Sequence, residues 1–494
     1  MYYDTLMSES VDLIDKYLQT NHSEFRRRVE EQAQSIIDSK SEFSPDSYGI
    51  GLEREYYLTD KTLRLKRRDS EFCDRANCQY ELGLHNVEFA SRPCCDFSDI
   101  DEFIADLRRN YDHLANMVDD GFIVRDGCIG LSPSGETMTE YLSDGSYLNG
   151  CKIPANMTDS PYYLMLEHDI SQDSDKTLSH PNLSYERDGT MTVSLTTSIQ
   201  PHVQVPRLEQ LPDYFSACIR LCGPLTALSA NSPYVPHDMY SSEPSTDPFT
   251  HENRITIQRD IFNNRGRRGV RLPKDVECFK DLIDRIASHE LYMPILSEEA
   301  PEADWSGDSY EFNHQQRTTW WWVNPRIGDC ADGDSDRAVR IELRPFSNQP
   351  TFKDNISLLL LSVGAVTGIA ETNHPVLELS WENAYQNFMN AEKQGSDADL
   401  TWIDSNGETV TNTQKIIEDI AEVADHGLGE MGVPQDTIDE YLHPMRERTE
   451  SPSKWKCRRY GEYLSENSYE SALKKTFQDY VKQSSSEQPF CEWD

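Results

Sequence analysis

Two short segments constrain the fold of this chain more than any other feature: 51–57, Gly-Leu-Glu-Arg-Glu-Tyr-Tyr, and 81–90, Glu-Leu-Gly-Leu-His-Asn-Val-Glu-Phe-Ala. Both have the aliphatic and aromatic content of β-strands, yet both carry carboxylates where a buried strand places apolar side chains. Glu53 and Glu55 stand two residues apart, so a strand turns both to one face and Arg54 to the other. Neighbouring carboxylates repel and resist desolvation. A divalent cation removes that penalty, and Mg2+ takes oxygen ligands while keeping waters and phosphate oxygens in its shell. The pattern points to a metal–nucleotide site on a sheet. The plainer alternative is a solvated acidic strand face. Glu81 and Glu88 are an odd number of residues apart, so both reach one site only if the strand bends or bulges, near Gly83.

The alternative has weight because the whole chain is acidic. Asp and Glu total 86 against 47 Lys and Arg, a formal net charge of −39, and only 16 of those 47 cations are lysines. Such a charge repels phosphate backbones and argues against nucleic acid as a partner. Acidic excess with scarce lysine resembles the proteins of salt-accumulating halophiles, where salt screens the self-repulsion. Position and spacing must therefore carry the argument, not acidity itself. At 494 residues the chain fits one large domain or two to three ordinary ones. No signal-like segment opens it, and the apolar run 356–370 is too short to span a bilayer comfortably and reads as a core helix. From these two features no membrane and a cytoplasmic location are expected, and in such a chain twelve cysteines without a Cys-x-x-Cys pair are expected to be free thiols.

Along the chain, apolar spacing predicts a helix over 4–38, a strand over 48–59, a polar hairpin-like tip at 63–71 and the second acidic strand over 79–90. A helix over 97–118 and a strand at 122–130 follow, then an irregular polar stretch over 131–188. Next come a strand over 192–205, a helix over 208–230, a strand from 338 and an apolar helix over 353–371. Beyond 400 the chain reads as acidic helix with a loose tail from 484. The division is a helical segment 1–45, a catalytic domain 46–400 and an acidic helical C-terminal extension 401–494. The fold class is α+β, an antiparallel sheet flanked by helices.

Five segments in order then resemble one family. Gly51-Leu-Glu-Arg-Glu, the Glu81…Glu88-Phe-Ala strand, Thr197-Ser-Ile-Gln-Pro-His-Val-Gln-Val, Leu225-Thr-Ala-Leu-Ser-Ala-Asn-Ser-Pro-Tyr, and Trp321-Trp-Val-Asn-Pro-Arg326 with Val339-Arg-Ile-Glu-Leu-Arg344-Pro are similar to the segments of family-2 glutamate–cysteine ligases, the carboxylate–amine ligases. The resemblance covers about 48–395. It implies a glutamine-synthetase-like sheet holding Mg2+ or Mn2+, with ATP as co-substrate. ATP phosphorylates a carboxylate and an amine then displaces phosphate, the route to γ-glutamylcysteine in glutathione biosynthesis. In residues of this chain it implies metal ligands at Glu53, Glu55, Glu81, Glu88, His202 and Glu342, and catalytic arginines at Arg326 and Arg344. Nucleotide or substrate contacts fall to Gln200, Arg254, Arg265 and Arg268. The middle acid of the family's first segment is Arg54 here, on the face away from the site.

Charge supports the reading independently, because joining a phosphoryl group to a carboxylate brings two anions together and needs metal ions and arginines. The basic run 254–271 reads either as a solvated loop or as a clamp on an anion, and Trp320-Trp-Trp as core packing rather than a substrate platform. No P-loop motif occurs. Two other classes stay open. A guanidino-kinase-like phosphotransferase would make a stable phosphorylated product, and a non-catalytic scaffold of the same fold would bind nucleotide without turnover. The expected partners are an amino acid and ATP, and a homo-oligomer is left open.

Overall fold

The computed structural model describes residues 12–43, 45–118, 121–148, 151–172, 178–183, 185–186, 189–263, 266–300, 309–329 and 337–494. Its centre is a seven-stranded sheet built from β1 (Ile50–Asp60), β2 (Gln79–Tyr80), β3 (Asn86–Ala90), β4 (Gly121–Val124), β7 (Ile199–Gln204), β8 (Val323–Asp329) and β9 (Arg337–Leu343). A separate hairpin supplies β5 (Gly145–Leu148) and β6 (Cys151–Pro154). The order across the sheet is β2-β3-β1-β7-β9-β8, every pairing is antiparallel, and β4 joins β1 beyond the end of β7. The α+β antiparallel architecture expected from sequence is the one observed.

Register decides the site. Glu55 lies opposite Glu88, Glu53 opposite Gln200, and His202 opposite Glu342. The predicted 79–90 strand is two strands, interrupted at 81–85 with Gly83 inside the break. A Cβ on Gly83 would lie 2.8 Å from the Ser194 Cβ, so only glycine lets the chain turn there. That interruption resets the alternation, and Glu81 and Glu88 reach the same site.

Helices cover the other face. Arg54 points away from Glu53 and Glu55, is buried, and donates to the Leu107 carbonyl of helix Ile100–Met117 at 3.3 and 3.4 Å. Helix Phe352–Thr372 is long and apolar enough to cross a membrane, but 83% of its apolar window is buried within the fold. A capping box fixes its start, Thr351 with Asp354, and Asn373 in the left-handed region ends it. It crosses helix Thr413–Met431 where Gly364 and Gly368 meet Gly427. A Cβ on Gly427 would stand 2.1 Å from the Gly364 carbonyl oxygen. Every cysteine described with its side chain is a free thiol.

Several expectations need correction. The first predicted helix breaks at Thr20 and Asn21, because the Asn21 side chain accepts from the Ser23 and Glu24 N–H groups and starts a new helix, His22–Asp38. The tip at 63–71 leads into a helix, Ser70–Ala76, capped by Asp69. The 131–188 stretch is not irregular: it contains helix Met138–Ser143, the β5–β6 hairpin and helix Pro161–Ser171. The basic run opens as a helix, Asn253–Phe262. The tail is packed, with Phe490 N–H donating to Asp354 at 3.2 Å and the Trp493 ring 5.4 Å from Trp455.

The 401–494 segment is wired into the sheet's underside. Lys456 Nζ is buried, bonded to Asp126 just past β4 and to the Asn231 carbonyl at 2.8 Å. Tyr480 donates to the Arg125 carbonyl at 2.7 Å, and Arg125 donates to the Ser484 carbonyl at 2.9 Å. Asn231 donates to the Asn348 carbonyl at 2.6 Å, and Asn348 in turn bonds the backbone carbonyl of Glu55.

Candidate active site

One face of β1, β3, β7, β8 and β9 floors a cavity of about 770 Å3. Its acidic wall carries Glu53, Glu55, Glu81 and Glu88; its basic wall carries Arg317, Arg326, Arg340 and Arg344. Gln200 and His202 line it between them, and Tyr162, Tyr163, Phe262 and Trp320 add an aromatic rim.

The acids form two clusters. Ligand atoms of Glu55, Glu81 and Glu88 lie within 4.8 Å of one another, and so do those of Glu53, His202 and Glu342. Glu55 is held rigidly, accepting from the Ser198 N–H at 2.8 Å, the Ser198 hydroxyl at 2.9 Å and Gln200 Nε2 at 2.8 Å. Burial raises Glu55 despite those bonds and the nearby Arg254 charge. Burial, then the Glu55 charge, raises Glu81 to about 8, and burial with Glu53 and Glu81 raises Glu88 well above the carboxylate range. In the second cluster burial is outweighed: the His202 charge holds Glu53 low, and Arg326 and Arg344 hold Glu342 well below the usual range. Glu342 accepts from Arg326 Nε at 2.7 Å and from Arg344, so its carboxylate aims the two arginines as well as facing His202.

The donor set fits a divalent cation. Hard carboxylate oxygens converge twice, once with an imidazole, the chemistry of Mg2+ or Mn2+. Two buried atoms of the site, Gln200 Oε1 and His202 Nε2, have no hydrogen-bond partner among the described residues. His202 Nε2 stands 3.3 Å from Glu53 Oε1.

The fold brings most of the sequence candidates together: Glu53, Glu55, Glu81, Glu88, Gln200, His202, Arg326, Glu342 and Arg344 share this site. Arg254 does not line the cavity. It sits buried behind the floor on the first turn of its helix, its guanidinium 5.5 Å from the Trp322 ring, and burial lowers it to about 10. Arg268 is exposed and lines a different cleft, because residues past Phe262 turn away from the sheet. Arg265 lies outside the described residues. Sequence reasoning missed Arg340, which period two along β9 places on the face of Glu342 and Arg344. It also missed Arg317, Tyr162 and Tyr163. Trp320, Trp321 and Trp322 are all buried, as expected, yet Trp320 borders the cavity.

Residues 49–475 match Glutamate-cysteine ligase family 2 (GCS2). The chain belongs to this family. As a GCS2 member it is an ATP-dependent ligase of the carboxylate–amine class. Solved structures similar to it include a glutamate–cysteine ligase from Francisella tularensis in complex with AMP, at 11% identity over 90% of each chain with a TM-score of 0.49. A bifunctional glutathione synthetase from Pasteurella multocida matches at 12% identity over 92% of this chain and 55% of that one, TM-score 0.42. The ligase PafA, in its complex with the prokaryotic ubiquitin-like protein Pup, matches at 11% identity over 88% and 73%, TM-score 0.36. No curated protein matches the sequence.

Proposed function

We propose that this GCS2 protein joins the γ-carboxylate of glutamate to the amine of cysteine or a related amino acid, consuming ATP and releasing ADP and phosphate. One observation carries the reading: an acidic wall with two three-ligand clusters faces four arginines across a single cavity. A divalent cation bound by Glu55, Glu81 and Glu88, or by Glu53, His202 and Glu342, supplies the positive charge that lets ATP approach four carboxylates.

The chemistry takes two steps. A substrate carboxylate oxygen bonds to the γ-phosphorus of ATP as the bond to the β-phosphate oxygen breaks, giving an acyl phosphate and ADP. The amine nitrogen then bonds to the acyl carbon, phosphate leaves with the acyl C–O electrons, and the amine loses a proton. Arg326, Arg340 and Arg344 stabilise the equatorial phosphoryl oxygens and later the departing phosphate, and Glu342 fixes two of them in place. Tyr162, Tyr163, Phe262 and Trp320 offer flat surfaces for the adenine and exclude water, which would hydrolyse the acyl phosphate.

The acidic surface fits a salt-rich solvent, so the assay belongs in high salt. Purified protein with ATP, Mg2+ or Mn2+, glutamate and cysteine is expected to release ADP and phosphate only when the amine is present. The absence of amine-dependent ADP release across a panel of amino acids overturns the reading, and AMP as product excludes an acyl phosphate. A phosphorylated product that accumulates without phosphate release favours the phosphotransferase class.

A further inference from the structure

A second cleft, about 1140 Å3, lies behind the acidic cavity and shares no lining residue with it. The two share walls: Gln258, Phe262 and Trp320 face the acidic cavity, and their chain neighbours Arg259, Asn263 and Trp321 face the cleft. In a chain of net charge −39, this cleft gathers cations. Arg259, Arg267 and Arg285 are matched by Glu392, Asp169 and Asp281. Arg26 spends its guanidinium on backbone carbonyls of Ala287 and His289, and Arg271 is only loosely matched, 3.7 Å from Glu290. Arg268 and Lys274 are exposed, and among the described residues no carboxylate lies within ion-pair distance of either.

The floor of the cleft is polar and unsatisfied. Trp321 and His289 are each 1% exposed, and among the described residues Trp321 Nε1 and His289 Nε2 have no hydrogen-bond partner. Arg271 stands over both, 5.3 Å from the Trp321 ring and with Nη2 3.3 Å from His289 Nδ1. The mouth is aromatic. Trp381 and Tyr385 stack 5.1 Å apart with Lys274 Nζ 5.1 Å from the Trp381 ring, and Tyr385 is 39% exposed.

We propose that this cleft binds a nucleoside phosphate, separately from the metal-dependent cavity. Unmatched guanidinium and ammonium groups with spare ring nitrogens recognise the phosphates, and the open Trp381–Tyr385 pair stacks the base. An aliphatic acid leaves the aromatic shelf unused, and a neutral aromatic leaves the cations uncompensated. The concave shape and volume suit a small ligand rather than a macromolecular surface. The two cavities differ in charge: the first sets acids against arginines, whereas the second carries six arginines and a lysine against one lining carboxylate, Glu290, which His289 Nδ1 already meets at 2.7 Å.

Calorimetric titration with ADP in excess EDTA tests this on the full chain. ADP is expected to bind, with inorganic pyrophosphate and adenosine each at least roughly tenfold weaker. The double variant Arg268→Ala/Lys274→Ala, at two exposed positions, is expected to lower ADP affinity roughly tenfold, while Arg344→Ala leaves it unchanged. No ADP binding in EDTA overturns the proposal. So does binding lost in Arg344→Ala but kept in the double variant, or pyrophosphate binding as tightly as ADP. With metal removed, none of these results bears on the ligase reaction itself.

Discussion

Replacing Glu81 with glutamine tests whether the Glu55–Glu81–Glu88 cluster is held for a cation. Its ligand oxygen lies within 4.8 Å of those of Glu55 and Glu88. Two unit charges at such a separation repel by about 3.5 kcal/mol at an effective dielectric near 20. Without a cation the cluster therefore retains protons, in line with Glu81 raised to about 8 by burial and by Glu55. The amide in Glu81→Gln keeps the shape and still accepts from the Leu82 N–H, now 2.7 Å from Glu81. Metal affinity should fall at least roughly tenfold, because the cation loses one charged oxygen ligand. The sign with pH follows from linkage. Below about 4.5 the acid is neutral in both folded and unfolded chains and costs nothing; toward 8 the unfolded chain ionises first, so metal-free stability falls. Glu81→Gln should thus melt in EDTA at the same temperature at pH 5 and at a higher one at pH 8. Metal binding to the parent at pH 7 should release one more proton than binding to the variant, counted by titration calorimetry in buffers of different ionisation enthalpy. Equal proton release, or a variant less stable in EDTA at pH 8, refutes the reasoning.

Arg340→Ala should cut turnover roughly 100-fold with little change in melting temperature, since its guanidinium faces the cavity; steady-state ADP release reads this. Arg54→Ala should lower stability by about 2–4 kcal/mol in denaturant titrations, because the buried side chain packs 5.8 Å from the Phe352 ring, while turnover of the folded fraction is unchanged. Gly427→Ala should cost about 1–3 kcal/mol in the same assay, since its Cβ would meet backbone atoms at 2.1 and 2.5 Å. Lys456→Met strands Asp126, which burial already raises to about 6 despite the lysine. The loss should be about 3–5 kcal/mol at pH 8 and shrink markedly by pH 5, where the carboxyl accepts a proton. Melts at the two pH values check the difference.

The acids of β1 and the Glu342–Arg344 pair at the end of β9 were legible because a strand's period of two sorts neighbours by face, and the same period, carried one step back, would have found Arg340. The bend at Gly83 was legible for the same reason, as the price of an odd spacing. Helix Pro161–Ser171 was not, because Leu164 through Ile170 are buried on all sides and leave no amphipathic stripe; Glu167, His168 and Asp169 inside that run read as loop. Tyr162 and Tyr163 were lost with it. Arg268 was misplaced because a basic run has no periodicity to say which way it faces. The tail read as loose from its serines, yet Phe490 and Trp493 anchor it on Asp354 and Trp455, contacts far away in sequence that local pattern never encodes.

The buried ties beneath the sheet also set an order of events during synthesis. β1 leaves the ribosome early, but Arg125 waits for Ser484, 359 residues later, and Asp126 waits for Lys456, 330 residues later. Until then Asp126 and the Asn231–Asn348 pair behind Glu55 have unfilled bonds, and the acidic strands stand on an incomplete base. Contacts of such separation form late and expose apolar surface while they are missing. A stalled or clipped chain lacking the final helices is therefore expected to be a target for chaperones and proteases rather than a partial enzyme.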